Sequence, residues 1–218
     1  MHLYIKSLLK IASRYAPSRM LSFELIHIFK VLQLLSTKDH ISRSLLCEEL
    51  DLGEGSVRTL LKHLKMQHLI ESTNVGTRLT DKGRRIFTEL LESIPAETSI
   101  PKCSVALGKY NYAILLKRYA FAINSGIEQR DAAIKVGACG ATTLVYKDHK
   151  FIMPGKEHDS LKKEPEIAKL LVEKLRPKEE GDDIVVIGSD DHSEKIAEFA
   201  AKNAGLLTII NHEEPVTR

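Results

Sequence analysis

Between Glu54 and Lys65 the sequence carries two interleaved patterns. Val57, Leu60, Leu61 and Leu64 recur at the spacing of one helical face, and Ser56, Arg58, Thr59, Lys62 and Lys65 fall on the opposite one. Two hydroxyls and three cations on an outward face, with no acid after Glu54, suit contact with a nucleic-acid duplex. Arginine can fork onto a guanine edge, serine and threonine can bond bases or phosphates, and lysine neutralises phosphate charge. Arg58, Thr59 and Lys62 are the expected principal contacts. Further on, Asn74, Thr77 and Arg78 stand where they can reach a backbone or a minor groove, with Arg84 and Arg85 behind them. The plainer reading is a set of solvated faces on a module that contacts other proteins.

Two stretches in the second half could hold a ligand. Gly137-Ala138-Cys139-Gly140-Ala141-Thr142-Thr143 follows Arg130-Asp131, and its small side chains let backbone N–H groups approach an anion, with Arg130, Thr142 and Thr143 completing the site. It lacks the spacing of a P-loop or dinucleotide fingerprint, and a helix end followed by a tight turn explains it equally. Gly188-Ser189-Asp190-Asp191-His192-Ser193 lies at the carboxyl end of a predicted strand, where open α/β sheets place ligands. Asp190 and Asp191 oppose phosphate but tolerate an amine, a hydroxylated ligand or a divalent ion, and they also suit a helix cap and first turn. The expected ligand contacts are therefore Arg130, Asp131, Gly140, Thr142, Thr143, Ser189, Asp190 and Asp191. Cys139 and His149 are the one tempting nucleophile and base, and nothing in the sequence brings them together. His63 and His68 read as helix surface and helix end. No catalytic residue, metal ligand or cofactor is expected, and the chain is not expected to be an enzyme.

Certain elements must position these residues. Residues 3–15 have the apolar spacing of an amphipathic helix, and Ser22 is expected to cap a second, carrying Phe23, Ile26, Phe29, Val31, Leu32 and Leu35. Leu45, Leu46 and Leu50 mark a short helix, Leu52-Gly53 a turn, and the 54–65 pattern the next helix, which together make a helix-turn-helix. Leu69–Thr73 and Thr77–Leu79 are β-prone runs about an Asn74-Val75-Gly76 turn, a wing, after which Thr80 or Asp81 caps a helix with Ile86, Leu90 and Leu91 inward. Residues 93–103 lose periodicity and read as a linker. Beyond it, strands are expected at 104–107, 112–116, 141–146, 151–153 and 183–188, with helices at 127–136 and 166–175. A helix from His192 to Ala204, stopped by Gly205 and followed by a strand at 206–210, would complete a βαβ unit.

A chain of 218 residues, 43% hydrophobic and 28% charged, suits two modest cores. Charge is uneven: residues 1–93 hold 14 Lys/Arg against 10 Asp/Glu, or +4, and the remainder 18 against 19, or −1. The basic excess thus lies with the helix-turn-helix. Three dispersed cysteines, Cys47, Cys103 and Cys139, fit free thiols in a reducing compartment. No apolar run approaches the roughly 20 residues needed to span a bilayer, and the N-terminus is wrong for a secretory signal.

The helix-turn-helix, the wing and Leu79-Thr80-Asp81-Lys82-Gly83, which has the form L-T-x-x-G, resemble winged helix-turn-helix transcription factors. With G-I-E-Q-R-D-A-A-I-K-V-G-A-C-G-A-T-T-L and D-I-V-V-I-G-S-D-D downstream, the whole chain resembles archaeal predicted transcriptional regulators that join such a module to a C-terminal domain of unknown function. Around Leu50 to Ile70 it is also similar to the DNA-binding domain of the central glycolytic gene regulator family. The resemblance implies an archaeal, cytoplasmic origin. The expected fold class is α+β, with a winged domain over 1–92, a linker over 93–103 and a mixed α/β sensor or dimerisation domain over 104–218. The expected function is a regulator binding double-stranded DNA as a homodimer, answering to a small-molecule effector, with no membrane partner. The alternatives are an enzyme carrying an appended winged domain and a winged protein-interaction module.

Overall fold

A computed structural model of the chain describes Leu8, Ile11 and residues 21–212. It divides into two compact units, Met1–Leu90 and Leu91–Arg218.

In the first unit, three helices, α1 (Leu25–Thr37), α2 (Arg43–Leu50) and α3 (Glu54–Met66), precede a hairpin of β1 (Ile70–Thr73) and β2 (Gly76–Leu79) and then α4 (Asp81–Ser93). The α1 cap is Glu24, not Ser22: Glu24 and His27 form a reciprocal capping box. Ser42 caps α2 through its hydroxyl, and Asp51 in the left-handed conformation ends it, so the chain turns sharply into α3. Leu46, Leu50, Val57, Leu60 and Leu64 meet Ile26, Phe29 and Leu32 in a closed core. Burying leucines on one face of α3 dictates that Arg58, Thr59, Lys62 and Lys65 point outward, as the residue spacing requires.

The expected helix over 3–15 lies mostly outside the described residues. Leu8 and Ile11 are helical and buried, and the Ile11 carbonyl meets His63 Nδ1 at 3.0 Å. His63 is accordingly a core residue, edge-on to Phe23, and not helix surface. Thr80 caps α4, its hydroxyl accepting from Gly83 N–H. Gly83 is glycine because α4 passes against the wing: a Cβ there would stand 2.1 Å from the Leu69 carbonyl oxygen. In α4 Ile86, Phe87 and Leu90 are buried, whereas Leu91 is exposed.

The second unit holds a five-stranded sheet in the order β3-β4-β7-β5-β6, with every neighbouring pair antiparallel. Its strands are β3 (Glu97–Ile100), β4 (Tyr110–Leu116), β5 (Gly140–Lys147), β6 (Lys150–Ile152) and β7 (Glu180–Asp190). Helix α5 (Ile127–Lys135) precedes β5, α6 (Pro165–Leu175) precedes β7, and α7 (Glu194–Asn211) ends the unit. Val185 and Ile187 of β7 join Leu144, Tyr146, Phe151, Leu171 and Leu175 in the core under α6. On the other face α7 lies across β7 and β4 with α5 beside it. Gln129 Nε2 donates to Thr208 Oγ1 at 2.8 Å, and Asn203 Nδ2 donates to the Ala132 carbonyl at 2.9 Å, tying α5 to α7.

Three expectations are corrected. The stretch at 104–107 forms no strand, only a two-residue bridge of Cys103 to Ala106. Part of the expected linker is the edge strand β3. Gly205 does not stop a helix: α7 runs through it to Asn211, so 206–210 is helical and there is no βαβ unit. The glycine has another purpose, since a Cβ would come within 2.6 Å of Ile114 Cδ1, and it lets α7 settle onto β4. On α5 the buried positions are Gln129, Ala132 and Ala133, while Ile127 and Ile134 face outward.

Candidate functional site

The surface of α3 and the hairpin encloses a groove of about 450 Å³. Arg43, Arg58, Lys62 and Lys65 line it together with Ser72, Thr73 and Gly76, over a floor including Ile41, Leu61 and Thr77. Four cations and no carboxylate face this space. Two local features fix its walls. The hairpin pairs Ile70 with Leu79 and Thr73 with Gly76, and the Thr73 hydroxyl donates to the Gly76 carbonyl at 3.1 Å and accepts from Val75 N–H. Ile41 then bonds Thr77 through both backbone groups, at 3.0 and 2.9 Å, as an isolated antiparallel bridge beside the hairpin. Gly76 permits that approach, since a Cβ would lie 2.8 Å from the Ile41 oxygen.

Of the expected duplex contacts, Arg58, Lys62 and Lys65 line this groove with Thr77 in its floor, whereas Arg78 lines a separate hollow with Asp39, Glu71 and Asp81. Arg58, Thr59, Lys62, Lys65, Asn74 and Arg78 are exposed and Ser56 is half-buried. Thr77 is not available as expected: its side chain is buried, because strand alternation puts Thr77 and Leu79 inward and Arg78 outward. The Thr59 hydroxyl donates to the Gly55 carbonyl at 2.9 Å and keeps its acceptor capacity. Both arginines are tethered by acids. Arg58 Nη2 meets Glu54 Oε1 at 3.1 Å, and Arg78 Nε meets Glu71 Oε1 across the hairpin at 2.6 Å. Arg43, at 3.4 Å from the same Glu54 oxygen, was not among the expected contacts. Its position at the start of α2 shows no periodic signal, and only the tertiary meeting of α2 with α3 brings it to Arg58. The Arg58 hydrogen bond, then that of Arg43, holds the Glu54 carboxyl below its ordinary pKa.

In the second unit the two stretches singled out from sequence do converge. Arg130, Cys139, Gly140, Ala141 and Thr142 meet Leu107, Gly108, Ser189 and Asp191 around a cleft of about 310 Å³ at one end of the sheet. The register explains it: β7 is central, and Ser189 pairs with Gly140 on one side and Asn111 on the other. Three expected ligand residues do not line this cleft. Asp190 is buried and occupied as a turn cap, its Oδ1 accepting from His192 and Ser193 N–H at 2.8 Å each. Thr143 is buried on the other side of β5, beside Gly126. Asp131 pairs with Arg130 at 3.0 Å on the exposed face of α5. Asp191 accepts from Lys109 N–H at 3.0 Å, and the Ser189 hydroxyl donates to Asn111 Oδ1 at 2.7 Å. Leu107 and Gly108, absent from the expected set, enter because β4 begins beside the end of β7.

Cys139 and His149 stay apart. The eight residues of β5, about 25 Å of strand, separate them, and His149 sits in the β5–β6 turn at 3.0 Å from Glu179. Among the described residues, no helix is long and apolar enough to cross a membrane.

Residues 24–85 match the family described as the PH0730-like N-terminal domain, and residues 107–209 match a domain of unknown function, DUF4443. Comparison with curated proteins finds no match. The solved structure of Lactococcus lactis ZitR, wild type, is 21% identical over 40% of this chain and 65% of that one, with a TM-score of 0.28, a likeness too slight to carry an argument. The hypothetical protein PH0730 from Pyrococcus horikoshii OT3 is 31% identical, with a TM-score of 0.65, and the match covers 87% of this chain and 96% of that one. A match of that length takes in parts of both units, and the chain belongs to the family of this Pyrococcus protein.

Proposed function

We propose that the chain is a DNA-binding transcriptional regulator. In this reading α3 enters the major groove of a duplex, and Arg43, Lys62 and Lys65 meet its phosphates. The wing, through Asn74 and Arg78, meets the adjacent backbone. The observation that carries the reading is the groove between α3 and the wing, with four cations and no carboxylate in its lining. Solvated charge alone explains scattered lysines; it does not gather Arg58, Lys62 and Lys65 along the outward side of a helix whose other side is core.

The second unit supplies the regulation. Its cleft is large enough for a small-molecule effector and carries an arginine and an aspartate on its walls, so it takes a ligand with polar or charged ends. The chain works as a homodimer in the cytoplasm on a two-fold related operator and catalyses no reaction. The test is fluorescence anisotropy of the full chain with labelled duplex across a salt series. The Arg58→Ala, Lys62→Ala double variant is expected to bind at least tenfold more weakly and with a shallower salt dependence. Unchanged affinity overturns the assignment.

Convergence of the two stretches on one cleft also favours a second reading, an enzyme with an appended winged domain. The two separate by incubating the chain with metabolite pools: an effector comes back unchanged, whereas a substrate is consumed.

A further inference from the structure

One carboxylate stands at the edge of the cationic surface. Glu54, in the first turn of α3, has a side chain 63% exposed, and a bare acid there would repel phosphate. Its Oε1 takes both Arg58 and Arg43, and its Oε2 has no hydrogen-bond partner among the described residues. As an i,i+4 pair with its acid in the first turn, the Glu54–Arg58 contact stabilises α3 modestly. Its other effect is geometric. The Arg58 side chain, 68% exposed and lining the groove, is tethered to the first turn through Nη2, which leaves its Nη1 hydrogens and one Nη2 hydrogen for a partner. Residues in the first turns of a recognition helix are those that reach base edges.

We propose that Glu54 is a specificity-determining residue. It positions Arg58 to fork onto a guanine and offers its own Oε2 to the exocyclic amine of a cytosine on the neighbouring base pair. The inference rests on the duplex reading above. A carboxylate can only accept. Guanine presents two acceptors in the major groove, thymine an acceptor and a methyl, and adenine an acceptor beside its amine, whereas cytosine presents its amine alone. The pair therefore selects half-sites in which a guanine and a cytosine occupy neighbouring positions.

The test is selection of binding sites by the full chain from a randomised duplex library, in parallel with Glu54→Gln. Glutamine has the donor and acceptor needed to grip adenine. The wild-type chain is expected to select sites with the guanine and cytosine pair. The variant is expected to keep the guanine and move the cytosine position to adenine, with about a tenfold loss on the wild-type site and a comparable gain on the altered one. Circular dichroism checks that the variant stays folded, as its exposed position requires. If Glu54→Gln selects the same bases as wild type, or weakens all sites equally, Glu54 is only a tether and the proposal is overturned while the duplex reading stands. If the wild-type chain selects no sequence, both fall.

Discussion

Lys202 is charged and its side chain has no exposed surface. Its ammonium lies 2.9 Å from Glu97 on β3 and 2.5 Å from Glu198 one helical turn back, and 5.4 Å above the Tyr112 ring. Burial, then the Glu97 charge, pushes the Tyr112 hydroxyl far above its ordinary pKa, so it stays protonated and donates to Glu97 at 2.8 Å. The cluster thus holds one cation shared by two carboxylates, one of which also accepts the tyrosine's hydrogen bond. Glu97 belongs to an edge strand of only four residues whose backbone ladder reaches β4, and the network adds a tie from that strand to α7. Replacing Lys202 by Met keeps the stem and deletes the charge, so Glu97 and Glu198 lose the cation they share. The expected cost is about 3 kcal/mol, read as a lower urea midpoint for the second unit. A loss below roughly 1 kcal/mol would show that solvent at the partly exposed carboxylates, not Lys202, balances them.

At the scale of elements, glycines decide how closely helices lie on strands, and they do so unequally. At Gly188, in the middle of the sheet, a Cβ would stand 2.3 Å from the Ala197 carbonyl and 2.5 Å from the Ala201 nitrogen, both backbone atoms that cannot move alone. At Gly205 the nearest atom is the end of the Ile114 side chain, which can swing. Gly188→Ala is therefore expected to cost at least 1–3 kcal/mol, about what overpacking costs, while Gly205→Ala costs little because it regains roughly 1 kcal/mol of helix propensity. Paired melting curves check the ranking, and equal losses would refute it. The same physics explains what the sequence could not reveal. Leu206 to Ile210 is an apolar run that fits a buried strand or a buried helix, and a glycine before it looks like a stop unless the packing partner is known. On α5 the small residues Ala132 and Ala133 face inward because α7 lies close, which inverts the apolar-in rule for Ile127 and Ile134. Where leucines repeat over a long helix, as in α3, one assignment survives, and the winged unit was legible element by element. Thr77 was misplaced as a duplex contact although its strand parity with Leu79 marks it as inward. Arg43 was not legible, because nothing local distinguishes it from other surface cations.

For the whole molecule the question is how many cations act together. One α3 of thirteen residues offers few base contacts, and a two-fold pair doubles them on half-sites about one helical turn apart. Counterion release turns that difference into a measurable slope. If Arg43, Lys62 and Lys65 each neutralise a phosphate, the logarithm of affinity falls with the logarithm of salt at roughly −0.9 per contact, or about −3 for one chain and about −5 for two. The arginine and lysine variants should then separate by role. Arg43→Ala and Lys65→Ala flatten the slope by about one per chain and weaken all sequences alike, whereas Arg58→Ala relaxes the choice of base at one position. Salt titrations on a selected site, combined with sedimentation of the complex, test slope and stoichiometry together. A two-chain complex with a slope near −3 would mean that only one α3 is seated, and the two-fold operator would have to be abandoned while the cationic groove kept its role.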